Sequence, residues 1–320
     1  MSAPPAAPHY GCRVTLRTAP LPSGAQYRLV HGLQEAVIAE VGASLRLYQV
    51  DGRDVVTPFD ETALAPAFSG ALLAPWPNRL ADGLYEYAGV VHQVAITEPA
   101  RVTALHGLVA GVRFTSTGVS SDGTSVTLEH ALVPSAGYPW PLRITVTFTL
   151  GDDGLTARIV TTNEGDLVAP YGVGVHPWLS TGGAAVDDCL LHVDAARHVT
   201  VDDRLLPTGS DPVAGIYDLR LPRSLRGVAL DDAWVDAIHD ETERTWATLA
   251  APDGRTVAMW ADEAARAWQV CTGDEVEGLG RTAVAVEPMS CVADALRTGD
   301  DLVHLGPGAT HVLTWGLELR

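Results

Sequence analysis

Lysine is absent from the chain: all 21 basic residues are arginine. Without a side-chain amine there is no Schiff base to a substrate or to pyridoxal phosphate, and no phosphate-loop lysine. Cysteine is scarce as well. Cys12, Cys189, Cys271 and Cys291 lie far apart and form no C-x-x-C pair, so neither a disulfide framework nor a thiolate zinc site is indicated. Reduced thiols in a cytoplasmic protein are the expectation. Positive charge is in deficit too, with 39 acidic against 21 basic residues and a formal charge of −18. Nucleic acids and anionic membranes draw on clustered positive charge, so neither is expected as a partner. No stretch approaches the ~20 apolar residues of a spanning helix. The opening residues, Met1–Tyr10, lack the basic and apolar parts of a secretory signal. Residues 1–12 therefore read as a disordered lead, and residues 13–320 as one soluble domain of unspecified oligomeric state.

Helical periodicity is also nearly missing beyond short candidates such as Glu61–Ala67 and Val292–Arg297. What is present is β pattern and turn chemistry. Asp-Gly pairs at Asp51-Gly52, Asp122-Gly123, Asp153-Gly154 and Asp253-Gly254 are hairpin signals. They separate strand-like runs such as Ser125–Leu132, Leu142–Leu150, Leu155–Asn163, Thr245–Ala251, Thr256–Ala261 and His311–Leu319. Strands joined by tight turns pair antiparallel and bury their faces sheet against sheet. With 47% hydrophobic residues, the expected fold is all-β, one large antiparallel β-sandwich.

Two polar residues stand in apolar runs. Glu287 lies in Arg281–Cys291, just before Pro288, which should end the strand's pairing. His176 lies in Tyr171–Ser180, a strand-like run that is likewise expected to stop at a proline, Pro177, with Gly172 and Gly174 upstream and Trp178 downstream. A lone buried histidine is more often a satisfied core residue, and a lone buried glutamate a partner for an arginine. The two together suggest an acid/base pair, because apolar surroundings raise a carboxyl toward neutrality. In Ala74–Gly83 two prolines fix the chain around Trp76 and hold Asn78 and Arg79 in a stiff loop, a usual place for oriented donors. His106, in Leu105-His106-Gly107, is a weaker candidate. Asp231 and Asp232 lead into an aromatic strand, and carboxylates beside indoles suit a pyranose. Eight tryptophans against four phenylalanines lean the same way.

In order along the chain, Pro75-Trp76-Pro77-Asn78-Arg79-Leu80 with Asp82-Gly83, Leu105-His106-Gly107, Pro170-Tyr171-Gly172 running into His176-Pro177-Trp178-Leu179, Leu230-Asp231-Asp232 and Val286-Glu287-Pro288-Met289 resemble the aldose 1-epimerase (galactose mutarotase) family, most closely its YihR-like bacterial branch. The resemblance implies a supersandwich fold and an isomerase that interconverts the α and β anomers of a small-molecule aldose, with no cofactor and no metal. Glu287 would take the proton of the anomeric hydroxyl while His176 protonates the ring oxygen. Arg79, His106, Asn78, Trp178 and one of Asp231 and Asp232, with Asp232 preferred, would bind the sugar, and Gln269 resembles another pocket-facing position. The chain departs from better-studied galactose mutarotases at Leu108, where they carry a second glycine, and at Pro177-Trp178. Substrate choice therefore stays open, including a sulfonated or otherwise modified aldose whose anionic group an arginine such as Arg79 would pair. Two readings of other classes stand beside it: a non-catalytic sugar-binding or regulatory protein, and a glycoside hydrolase using Asp232 with Glu287.

Overall fold

The computed structural model describes residues 21–320; the expected lead over residues 1–12, Cys12 with it, lies outside them. The runs with the cleanest period of two form the largest sheet. In Leu142–Gly151 the residues Leu142, Ile144, Val146, Phe148 and Leu150 are buried while their neighbours are half-buried or exposed, as a strand with one dry face requires. This strand lies third in a nine-stranded antiparallel sheet ordered Thr115–Val119, Ser125–Leu132, Leu142–Gly151, Gly154–Asn163, Thr310–Leu319, Thr256–Ala261, Thr245–Ala250, Leu190–Val193 and Arg223–Ser224. The Asp-Gly signals fall at hairpin ends, one of them shifted by a residue. Gly151 pairs with Gly154, so Asp152 and Asp153 form that turn and Gly154 opens the next strand.

Facing this sheet is one of eight strands. Its path runs Pro207–Pro212, Ala195–Val201, Asp231–Ala237, Ala267–Cys271, Ala283–Met289, Gly174–Val175 and Leu72–Leu73, with Trp178–Ser180 also paired to Ala283–Met289. Trp234, Trp268, Val270 and Val286 of this sheet share one core with Ile144, Ile159, Leu249, Leu313 and Trp315 of the other. One polar bond crosses the sandwich, from Trp268 Nε1–H to Thr245 Oγ1 at 3.0 Å. It satisfies an indole donor that burial would otherwise leave costly. A smaller four-stranded sheet over residues 26–54 leads into this body. The all-β, antiparallel expectation therefore holds, and no helix among the described residues is long and apolar enough to cross a membrane.

Three local expectations are corrected. Glu61–Ala67 is not a helix: ahead of Pro66, Ala65 stands outside the helical region at φ −52°, ψ 105°, and a single 3-10 turn follows over Pro66–Phe68, with Ala67 at φ +44°. Val292–Arg297 contracts to one α turn, Ala295–Thr298. Nor does Pro288 stop its strand, whereas the strand ending at Val175 does break off before His176-Pro177. Pro288 lies inside Ala283–Met289, opposite Trp268, and pairing resumes after Pro177 with Trp178 opposite Ala285. The reason lies in which way the amides point. Val286 N–H bonds Pro177 O and Ser290 N–H bonds Val173 O, so the amide that Pro288 lacks would point to that same edge, and the edge toward Ala267–Cys271 keeps its ladder.

Candidate active site

The eight-stranded sheet has a dry face and a pocket face, and strand alternation sorts the candidate residues between them. Asp231 pairs with Cys271, and Gln269 with Glu287. Side chains two apart share a face, so Asp231, Gln269, Cys271 and Glu287 project together. Flanking pairs, Gly174 with Met289 and Trp178 with Ala285, set His176 opposite Glu287 on the next strand. Neighbouring strands are ~4.8 Å apart, which brings His176, Glu287 and Gln269 into one row, with Asp231 one pair along, opposite Cys271 and diagonal to Gln269. That face lines a pocket of about 170 Å³, completed by Asn78, Arg79, His106, Phe68, Ala67, Leu105, Trp178 and Val276.

Asp232 has the opposite parity. It falls on the side of Trp234 and Val270, where its Oδ1 pairs with His198 Nε2 at 2.8 Å, and His198 stacks on Tyr217 with ring centroids 3.6 Å apart. The structure thus places Asp231, and not the preferred Asp232, at the pocket. The same placement removes the two-acid pairing of Asp232 with Glu287, since the two lie on opposite faces of one sheet. The signal was present in the sequence: Trp234 is a core residue, and Asp232 shares its parity while Asp231 does not.

Arg79 and His106 come from a second small ladder. Arg79–Ala81 pairs with Thr103–Leu105, and Asn78 and His106 turn away from its ends at φ +56° and +61°. His106 N–H bonds Asn78 O at 2.9 Å, and Asn78 N–H in turn donates to His106 Nδ1 at 3.2 Å. Nδ1 being an acceptor, the ring's proton sits on Nε2. Gly107 permits this turn: at φ +72°, a Cβ there would lie 2.2 Å from Ala74 O. Arg79 is buried and anchored. Its Nε and Nη2 bond the two oxygens of Glu98 at 2.9 and 3.2 Å, and Nη2 lies 3.4 Å from Asp231 Oδ2. Gln269 Nε2 donates to Asp231 Oδ1 at 2.8 Å. Glu98 and Phe68 were not foreseen. Nothing near Glu98 in sequence marks it, and Phe68 precedes Ser69-Gly70 in a segment expected to follow a helix.

His176 Nε2 lies 3.3 Å from Glu287 Oε1. Both side chains are almost wholly buried, and His176 Nδ1 and Glu287 Oε2 have no partner among the described residues. Aromatic rings enclose the imidazole: Trp178 at 5.7 Å, Phe68 at 6.2 Å and His106 at 5.2 Å between centroids. Burial, reinforced by Asp231, pushes the Glu287 carboxyl well above the usual range against the pull of Arg79. Burial likewise lowers His176 to about 4. It lowers His106 further below its ordinary value, aided by His176 and Arg79. For Glu98 burial is outweighed by the hydrogen bonds from Arg79 and Thr103, which hold it low. Among the described residues no group of three His, Cys, Asp or Glu side chains is placed to hold a metal ion. The arrangement can accept and return protons at two adjacent points, beside oriented amide, carboxylate and guanidinium groups.

Known proteins resemble this chain in sequence and in fold. The uncharacterized protein YihR of Escherichia coli (strain K12) is 33% identical over 299 residues, 92% of this chain and 93% of its own. A galactose mutarotase-like protein from Clostridium acetobutylicum superposes with a TM-score of 0.81 at 15% identity, covering 92% of this chain and 94% of that one. A galactose 1-epimerase from Lactobacillus acidophilus NCFM does so at 0.76 and 16%, covering 92% and 93%. Residues 25–317 match the family model described as aldose 1-epimerase, and the chain belongs to that family.

Proposed function

We propose that this protein is a mutarotase that opens and recloses the ring of an aldose with Glu287 and His176 as its proton-transfer pair. The observation that carries the reading is their contact, 3.3 Å across two adjacent strands, within a pocket whose other polar groups are already oriented. Ring opening moves two protons. The anomeric O1–H gives its proton to Glu287 as the C1–O5 bond breaks and C1=O1 forms, and O5 takes a proton from His176. Rotation about C1–C2 and the reverse transfers give the other anomer. Each transfer is worth typically ~10²–10⁴-fold.

One proton shared by this pair can sit on either partner without changing their total charge. Burial favours the uncharged arrangement, a carboxylic acid beside a neutral imidazole, in keeping with the raised Glu287 and lowered His176. That is the arrangement the open-chain aldehyde requires for closure. Ring opening starts from the charged one, so the two arrangements correspond to the two sides of one reversible step. Asp231 and Arg79, beside the pair, are suited to accept from and donate to sugar hydroxyls.

A non-catalytic sugar-binding role has no use for two mutually close buried titratable groups, whose burial costs stability. Polarimetry on freshly dissolved α-D-glucose and α-D-galactose tests the proposal. Acceleration over the spontaneous rate that vanishes in Glu287→Gln, with the circular dichroism of the wild type retained, is the expected result. Equal turnover in that variant refutes the assignment.

A further inference from the structure

Glu98 stands behind the catalytic pocket rather than in its wall, on a turn that is tied from within and from outside. Thr97 N–H and Glu98 N–H both bond Thr103 O at 3.0 Å, Thr103 N–H returns to Glu98 O at 3.2 Å, and Leu105 N–H bonds Thr97 Oγ1 at 2.8 Å. Arg204 fastens the same turn from a distant loop, bonding Arg101 O at 2.9 Å, Val102 O at 2.7 Å and Asp82 Oδ1 at 2.9 Å. Held in this frame, the Glu98 carboxylate is fully engaged. Its Oε2 accepts from Arg79 Nε at 2.9 Å and from Thr103 Oγ1 at 2.6 Å, and its Oε1 accepts from Arg79 Nη2 at 3.2 Å and from Arg101 Nη1 at 3.0 Å. An ionised carboxylate has about four acceptor sites, so this one has none left to offer a sugar.

We infer that Glu98 is a positioning residue of the reaction, which reaches the sugar only through Arg79: it fixes which edge of the guanidinium faces the pocket and cancels part of its charge. The inference rests on the mutarotase reading and extends it. A guanidinium is a planar fork with more than one donor edge, and the Nε–Nη2 edge is taken up by Glu98. What remains is the Nη1–Nη2 edge, flanked by Asn78 Oδ1 at 3.5 Å from Nη1 and Asp231 Oδ2 at 3.4 Å from Nη2. Asn78 and Asp231 both line the catalytic pocket. A fork gripped along one edge therefore presents the other to the pocket in a fixed plane, which a flexible ammonium could not do.

Charge is the other half of the arrangement. The Glu287–His176 pair is faced by Asp231 and Cys271 from neighbouring strands and by Arg79 and His106 from the small ladder. Burial and Asp231 raise the Glu287 carboxyl, and Arg79 is the group that lowers it. Glu98 is faced in turn by Arg79 and Arg101, with Asp274 and Glu275 across the cleft on its outer side. An ionised carboxylate in two-point contact with the guanidinium cancels much of the field that Arg79 exerts on the pair. Without it Arg79 would draw harder on Glu287, and the proton shared by the pair would leave at a lower pH.

The test measures kcat/KM for mutarotation of fresh α-D-glucose and α-D-galactose as a function of pH in the wild type, Glu98→Gln, Glu98→Asp, Arg79→Lys and the double variant of Glu98→Gln with Arg79→Lys. Glu98→Gln keeps the shape and removes the charge. It is expected to lower kcat/KM roughly 10- to 100-fold through the misplaced guanidinium, and to move the alkaline limb of the pH profile down by on the order of one unit. Added to Arg79→Lys it should cost almost nothing more, because the group through which it acts is already gone. Glu98→Asp keeps the charge on a shorter arm, so its rate should fall while its alkaline limb stays with the wild type; it carries the test alone should Glu98→Gln not fold. Wild-type constants and limb in Glu98→Gln, losses that add in full to those of Arg79→Lys, or an alkaline limb displaced in Glu98→Asp, overturn the inference and leave the mutarotase reading intact. A wild type that accelerates no aldose overturns both.

Discussion

Glu287 concentrates the tension between stability and chemistry. A buried carboxyl with one oxygen unpartnered among the described residues, and with the charge of Asp231 nearby, is a poor structural element. Glu287→Gln is expected to raise stability at neutral pH by on the order of 1–2 kcal/mol while abolishing turnover, measured by urea denaturation alongside polarimetry. A variant that loses both would make Glu287 structural. The two adjacent aspartates should separate cleanly. Asp231→Asn, by weakening one charge-assisted contact to substrate, should lower kcat/KM roughly 10–100-fold with little loss of fold. Asp232→Asn should cost stability instead, since an amide oxygen is a weaker acceptor than a carboxylate for the stacked His198. Reversed effects would refute the parity assignment.

At the level of strands and turns, the long alternating runs were legible because burial on one face repeats every second residue; Ser125–Leu132 and Thr256–Ala261 have the observed bounds. The pieces that make the site were not. Leu72–Leu73 and Gly174–Val175 are two residues long, too short for any period to show, and their pairing is decided by distant partners. Pro288 was read as a stop because a sequence does not show which edge of a strand its amides face. The order of the motifs nonetheless named most of the pocket, with Phe68 and Glu98 left out because each acts through a neighbour, an imidazole or a guanidinium, that the sequence places elsewhere. Gly107 is the hinge of this arrangement. Gly107→Ala is expected to cost more than about 1–3 kcal/mol, from the contact with Ala74 O and the positive φ, and to displace His106 and Asn78 together. Equal melting temperatures for variant and wild type would show that the turn can relax.

The whole molecule should respond to pH from both sides. Folded His176 gains its proton near pH 4 and the unfolded residue near 6.5. Between those values unfolding takes up protons, so stability falls as the pH drops through that window, and His106 acts in the same sense. Glu287 has the opposite sign. It keeps its proton in the fold above 4.5, and the stability this gives is lost as pH rises through its elevated folded value. His176→Gln should therefore flatten the stability profile between pH 6.5 and 4, by up to about 3 kcal/mol over the window. An unchanged slope in urea midpoints across that range would remove His176 from the balance.

Trp178 offers a use unrelated to catalysis. Its indole N–H is fixed to Ala67 O at 3.1 Å, and its ring forms part of the pocket wall beside His176, whereas Trp234, Trp268 and Trp315 are sealed between the sheets. One chromophore out of eight therefore reports on the occupied pocket. The difference in emission between the wild type and Trp178→Phe isolates it, so that sugars which bind without turning over become visible by light alone.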